Sequence, residues 1–318
     1  MNKIRTVLGD IDSEVLGFTH CHEHIFIERN KSAFINPALL IDDYAKSLQE
    51  LILLREAGGS ALVDAQPVMA GRMAEWLVKA SQDSAIHIIA STGFHKTCFY
   101  YEDSYIFHQT EQEIAELYIS EIKQGMLNSV QTGMQRSDAK AGIIKVAVDS
   151  GGIFADKIYE KLHSAAAAAQ VETGVPVMCH MEARSDAEEV IRFYTDAGVP
   201  AQCIWLAHLD RADNDIGHHK AAASCGAYLE YDTIARQKYH SDAYECKLII
   251  DMIAAGYGNK LLLGLDSTRE RLESYGGKPG LTYLHDVFVP YLKINGVTEN
   301  DILGLMRDNP REALLITK

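Results

Sequence analysis

The chain has no apolar run approaching the length of a membrane span. It also has no basic excess. Forty-four acidic residues against 30 Lys and Arg leave a net charge of −14, which disfavours a nucleic-acid surface and suits a soluble, mutually repelling particle. CxxC pairs are absent: the six cysteines are scattered at 21, 98, 179, 203, 225 and 246 and read as reduced, mostly buried thiols. The opening Met1-Asn2-Lys3-Ile4-Arg5 lacks the apolar core of a signal peptide, so a cytoplasmic location is expected. No short-period repeat, low-complexity tract or Pro/Ser-rich linker marks a boundary, so a single domain over 1–318 is expected. What remains is a 47% hydrophobic chain of 318 residues, long enough for one α/β barrel of usual size.

Short apolar runs alternate with longer amphipathic ones. Strands are predicted at 15–21, 61–64, 86–91, 143–148, 176–180, 203–207, 227–231 and 261–265. Helical patterns at 44–57, 74–81, 112–125, 157–173, 186–197, 218–224 and 241–255 lie between them. Strand–helix alternation implies parallel strands joined by crossovers, and eight of them imply a closed (β/α)8 barrel. Residues 4–7 with Gly9 suggest a small hairpin closing the barrel's N-terminal end.

The most informative stretch is Gly17-Phe18-Thr19-His20-Cys21-His22-Glu23-His24-Ile25. In a strand, alternate side chains share a face, so His22 and His24 project together, with His20 one step behind. Neutral imidazoles so paired are good ligands for Zn, Mn or Co. Further polar residues stand at the C-terminal ends of later strands: Lys145, His180, His208 and Asp266. These ends converge on the mouth of a barrel, where catalytic groups sit. Lys145, inside Ile143-Ile144-Lys145-Val146, is costly if buried and charged. Taken alone, it could snorkel outward or pair with Asp149. Alternatively, the neutral amine reacts with carbon dioxide to give a carbamate, whose two oxygens can bridge two cations.

At these residues the chain resembles the phosphotriesterase-like branch of the amidohydrolase superfamily. The resemblance runs through the Gly-x-Thr-x-x-His-Glu-His opening, Lys145, His180, His208, Asp266 and the closing Asp308-Asn309-Pro310-Arg311. It implies a TIM barrel of the amidohydrolase type and a metal-dependent hydrolase with two divalent ions, zinc first, manganese or cobalt otherwise. His22, His24 and Asp266 would hold the more buried ion, and His180 and His208 the more exposed one. Carboxylated Lys145 and a hydroxide would bridge them, the hydroxide attacking the substrate and Asp266 taking its proton. His20 falls at no ligand position. Cys21 and Cys179 alternate away from the histidines and read as barrel wall. A homodimer is the default for such barrels.

Relatives in this family hydrolyse esters, lactones or phosphotriesters, so the loops must select the substrate. Arg236, Lys238 and Tyr239 lie in loop seven, and Arg269, Arg271 and Lys278 in loop eight. Loop three adds His95, Lys96, Tyr100 and Tyr101. Cations gathered on two loops of an acidic chain are suited to a phosphate, although Glu270 and Glu273 offset part of the charge. A long apolar loop eight is absent. The expected substrate is therefore a phosphorylated sugar lactone of the 1,4-lactone 5-phosphate type. Acyl-homoserine lactones, organophosphate triesters and cyclic amides are the alternatives. Lys145 argues against a mononuclear deaminase, and the full ligand set argues against a catalytically dead barrel.

Overall fold

The computed structural model describes residues 2–129 and 133–318. Among these, β1 (Lys3–Thr6) and β2 (Gly9–Asp12) form an antiparallel hairpin. A second sheet holds eight parallel strands, each bonded to the next in chain order. They are β3 (Thr19–Glu23), β4 (Ala61–Asp64), β5 (His87–Gly93), β6 (Ile143–Ala147), β7 (Val177–His180), β8 (Ile204–Ala207), β9 (Tyr228–Tyr231) and β10 (Leu261–Leu263). Helices Tyr44–Glu56, Ala74–Ser84, Glu111–Lys123, Lys157–Thr173, Ala187–Asp196, Ile216–Ser224 and Asp242–Ala254 alternate with them. This is a (β/α)8 barrel.

Alternation of side chains explains its two cores. Val63, Ile89, Ile143, Met178, Trp205, Tyr228 and Leu262 form one buried cluster, inside the ring of strands. Their immediate neighbours Leu62, Ile88, Ile144, Val177, Leu206, Leu229 and Leu261 belong to the other, between strands and helices. A strand buried on both faces reads as a near-continuous apolar run, as these do. Ile4 of the hairpin is fully buried in the inner cluster with Leu16, Ala313 and Leu314, so the hairpin does close that end.

The last strand returns to the first. Asp266 N donates to His22 O at 2.9 Å. The Glu23 carboxylate accepts from Leu265 N at 3.0 Å and Ser267 N at 3.1 Å. This seam needs Gly264, because a Cβ there would stand 2.9 Å from His22 N and 3.0 Å from His22 O.

One expectation shifts. The first barrel strand begins at Thr19, not 15, because residues Ser13–Val15 are a 3-10 turn capped by the Asp12 side chain. Helices also follow β10, at Val289–Ile294, Glu299–Leu303 and Asn309–Ala313. Within the Asp308-Asn309-Pro310-Arg311 motif, Asn309 Nδ2 donates to Gly258 O and Leu261 O, both at 2.8 Å, anchoring the chain's end to β10.

Candidate metal centre

The same alternation that buries Ile143 and Met178 turns Lys145 and His180 inward, two residues further along β6 and β7. His208 follows β8, and Asp266 follows β10. Both have left-handed backbones, at φ 64° and 47°, which non-glycine residues rarely adopt. On β3 strict alternation fails. Between His20 and Glu23 the strand takes three steps against two in β4, a bulge. His20 is therefore turned away from the centre, with Nδ1 2.9 Å from Glu23 Oε1 and its ring stacked on His285 at 5.3 Å. The bulge also puts Cys21 in the inner cluster, while Cys179 faces the helices.

Six expected ligands come together. His22 Nε2 and His24 Nε2 lie 3.8 and 3.6 Å from Asp266 Oδ1. Lys145 Nζ lies 3.3 Å from His22 Nε2. The His208 ring centroid is 4.4 Å from that of His180 and 4.6 Å from that of His22. Asp149 does not pair with Lys145: it binds Lys96 at 3.0 Å and accepts from Tyr159 at 2.7 Å.

Behind the ligands stand two carboxylates that sequence reasoning missed. Glu230 Oε2 is 3.0 Å from His22 Nδ1. Asp232 Oδ1 is 2.6 Å from His208 Nδ1, Oδ2 accepts from His208 N at 3.2 Å, and Oδ2 is 3.3 Å from His22 Nδ1. Fixing the Nδ1 atoms leaves both Nε2 lone pairs facing the centre, the usual way an outer partner sets the tautomer of a metal-binding histidine. Asp232 forms a potential donor triplet with His22 and His208. However, its oxygens are already committed to the backs of those rings, so it is placed to orient the two histidines rather than to hold an ion itself.

The electrostatics suit a cation site. Burial holds His24 and His180 down to about 4, so both imidazoles are neutral lone-pair donors. The buried His180 Nε2 has no hydrogen-bond partner. Burial also lowers Lys145 to about 8, against the opposing pull of Glu230, Asp266 and Asp232. Its amine is thus substantially neutral near pH 8, as carbamate formation requires. Burial pushes Asp266 up, but Arg236 and Arg211 outweigh it and keep the carboxyl below its ordinary value. The two oxygens of Asp266 are divided. Oδ1 faces His22 and His24, whereas Oδ2 lies 3.1 Å from Arg236 Nη2 and 3.6 Å from Arg211 Nη1. Four neutral imidazoles, an amine open to carboxylation and one ionised carboxylate form a donor set that fits two divalent first-row ions.

Gly93 sets the height of Lys145. Its φ is +99°, and a Cβ there would fall 1.9 Å from Lys145 O. Gly93→Ala should therefore lower stability by roughly 1–3 kcal/mol, read as a lower urea midpoint, and weaken metal retention. An unchanged midpoint would mean that β6 can yield at no cost.

The expected substrate-side residues divide. Arg236, Lys238, Arg271 and Lys278 line one cavity of about 280 Å³ with Asn36, Ala38, Thr268 and Glu270. Arg236 also reaches the metal side, where its Nη2 donates to Asp266 O. Arg271 is mostly occupied, donating to Ile234 O at 2.7 Å and Ala235 O at 3.2 Å. Tyr239 is partly exposed and carries the guanidinium of Arg211, 4.8 Å over its ring. Tyr239 does not line the cavity, and neither do two further residues. Tyr100 is buried with its hydroxyl accepting from His95 N at 3.0 Å, and Arg269 lies 5.5 Å over the Tyr275 ring. Arg211 was missed: it lies three residues past His208, outside the two loops where cations stood out.

The model of the phosphotriesterase family matches residues 2–314. A phospho-furanose lactonase of Mycoplasmopsis synoviae is 31% identical, over 98% of this chain and 91% of that protein. The crystal structure of a lactonase from Listeria monocytogenes superposes with a TM-score of 0.88 at 26% identity, covering 99% of this chain and all of that one. The Escherichia coli phosphotriesterase homology protein, crystallised with phosphate in its active site, gives 0.84 at 26% identity, covering 96% and 100%.

Proposed function

The chain belongs to the phosphotriesterase family and is a hydrolase, and from that premise we propose that it opens a phosphorylated sugar lactone at a binuclear metal centre. His22, His24 and Asp266 would hold one ion, His180 and His208 the other, and carboxylated Lys145 would bridge them. Bound there, divalent ions supply Lewis acidity and bring the pKa of a coordinated water from about 15.7 towards 7.

The chain's own residues do the rest. Glu230 and Asp232 lock the ring orientations of His22 and His208. Asp266, ionised beside Arg236, takes the proton released as water adds to the lactone carbonyl. When the ring C–O bond breaks, the same carboxyl returns that proton to the leaving oxygen, giving a hydroxy acid. Arg211 and Arg236 hold the outer oxygen of Asp266 in place.

The observation that carries the substrate is the cavity lined by Arg236, Lys238, Arg271 and Lys278 in a chain of net charge −14. Arg236 touches both this cavity and Asp266, so it would join the phosphate site to the proposed metal centre. The phospho-furanose lactonase relative and the phosphate held by the Escherichia coli protein support the same reading.

The test compares a sugar lactone phosphate with its dephospho form. A charge-assisted hydrogen bond contributes roughly 1.5–3 kcal/mol, so two or three should favour the phosphate by about a hundredfold or more in kcat/KM. Lys278→Met should raise KM for the phosphorylated lactone and leave its kcat nearly unchanged, since the phosphate is remote from the reacting carbon. Equal kcat/KM for the two lactones would remove the phosphate from the proposal while sparing the metal centre.

A further inference from the structure

A second knot of donor atoms lies outside the centre. Asp210, in the short helix Leu209–Ala212 that follows β8, is fully buried, as is Glu245 in the first turn of Asp242–Ala254. Between them His240, with 9% of its side chain exposed, turns Nε2 inward. Nε2 lies 2.9 Å from Thr233 Oγ1, 3.1 Å from Glu245 Oε2 and 3.7 Å from Asp210 Oδ2. The histidine nitrogen and the two carboxylate oxygens all lie within 4.8 Å of one another.

Proton counting leaves this knot incomplete. The Thr233 hydroxyl has one proton and donates it to Asp210 Oδ2 at 2.5 Å, while Thr233 N donates to the same oxygen at 2.7 Å. Thr233 Oγ1 can then only accept, so a proton on His240 Nε2 goes to Thr233. Nothing is left for Glu245: both its oxygens are buried and neither has a hydrogen-bond donor. The other charged groups nearby do not help. Asp232 and Asp242 are acidic, and Asp242 is occupied by Ala235 N at 2.8 Å and Tyr283 OH at 2.6 Å. A bare buried carboxylate beside another is costly unless a cation or proton joins them. Burial and the neighbouring Asp210 both push the Glu245 carboxyl upward, so without a cation this carboxyl holds a proton shared with Asp210.

We propose that Asp210, His240 and Glu245, with the Thr233 hydroxyl, bind a further divalent cation, separate from the one or two ions of the main centre. Two carboxylates balance a 2+ charge, and a set of oxygens with one imidazole suits manganese or zinc. The ion would join three pieces of chain: the segment after β8 that carries Arg211, the loop of Arg236 and Lys238, and the helix behind them. Its role is to brace that loop, and it depends on neither the lactone nor the phosphate reading.

Full-length protein loaded with zinc or manganese chloride, then freed of excess ion by gel filtration, gives metal per chain by plasma mass spectrometry. Wild type should carry one equivalent more than Glu245→Gln, whatever the main centre holds. Crystals of the loaded wild type should show an anomalous peak about 2.0–2.3 Å from His240 Nε2 and a Glu245 oxygen. Equal metal content in wild type and variant, with no peak between these side chains, would overturn the proposal. If Glu245→Gln does not fold, the wild-type anomalous map decides alone: a peak supports the site, and its absence rejects it.

Discussion

Lys145→Ala is expected to reduce activity to near background and to release at least one metal equivalent while the barrel stays folded. Lys145 stands at the point where β6 faces His22, with Nζ 3.3 Å from Nε2, which is where the proposed bridge would lie. Losing an outer hydrogen-bond partner of a metal ligand costs about 10–100-fold. Losing a ligand shared by two ions should cost more. Two controls separate this from simple damage to the core. Lys145→Glu, which returns two oxygens to nearly the same place, should recover part of the metal content. Wild-type protein stripped of metal should reload faster with bicarbonate than in carbon-dioxide-free buffer. Full activity with two tightly held ions in Lys145→Ala would show that no bridge is formed there.

For Asp266→Asn we expect kcat to fall by about 10²–10⁴, the usual contribution of a positioned general acid or base, with most metal retained. Asparagine keeps the size and one acceptor oxygen but can neither take the proton nor neutralise Arg236, 3.1 Å away. Steady-state kinetics with metal analysis on the same preparation tests both halves. Turnover near wild type would take Asp266 out of the proton path and leave it as a ligand only.

How much of this was legible in the sequence can be traced residue by residue. Most of the later barrel strands are apolar runs, and a polar residue near the C-terminal end of one stands out against that background. That contrast is why Lys145, His180, His208 and Asp266 could be picked out at once. Glu230 carried the same signal, an acid between Leu229 and Tyr231 in an apolar strand, and the logic applied to Lys145 would have found it. Asp232 was visible only as the first residue of a loop, because its partners His22 and His208 lie on other strands. The orientation of His20 was not legible. A bulge depends on how β3 registers with β4, and no spacing within β3 encodes that. Tyr100 illustrates the opposite error: an aromatic in a mouth loop looks ligand-facing, yet it is used to hold His95 N and fill the core.

The seam between β10 and β3 has one more consequence. Elsewhere, neighbouring barrel strands are joined by a ladder of backbone pairs. Across the seam much of the bonding passes through side chains: the Glu23 carboxylate and the Ser267 hydroxyl, which accepts from His24 N at 3.2 Å. His22 and His24 stand on one bank of this gap and Asp266 on the other. An ion held by all three, as proposed, would work as a rivet across the line where the cylinder would otherwise open. Its binding energy then counts towards folding as well as chemistry, since a ligand that binds only the closed form stabilises it by mass action. The stripped protein should therefore exchange its seam amides with solvent first, unzipping from its two ends in sequence rather than from its middle.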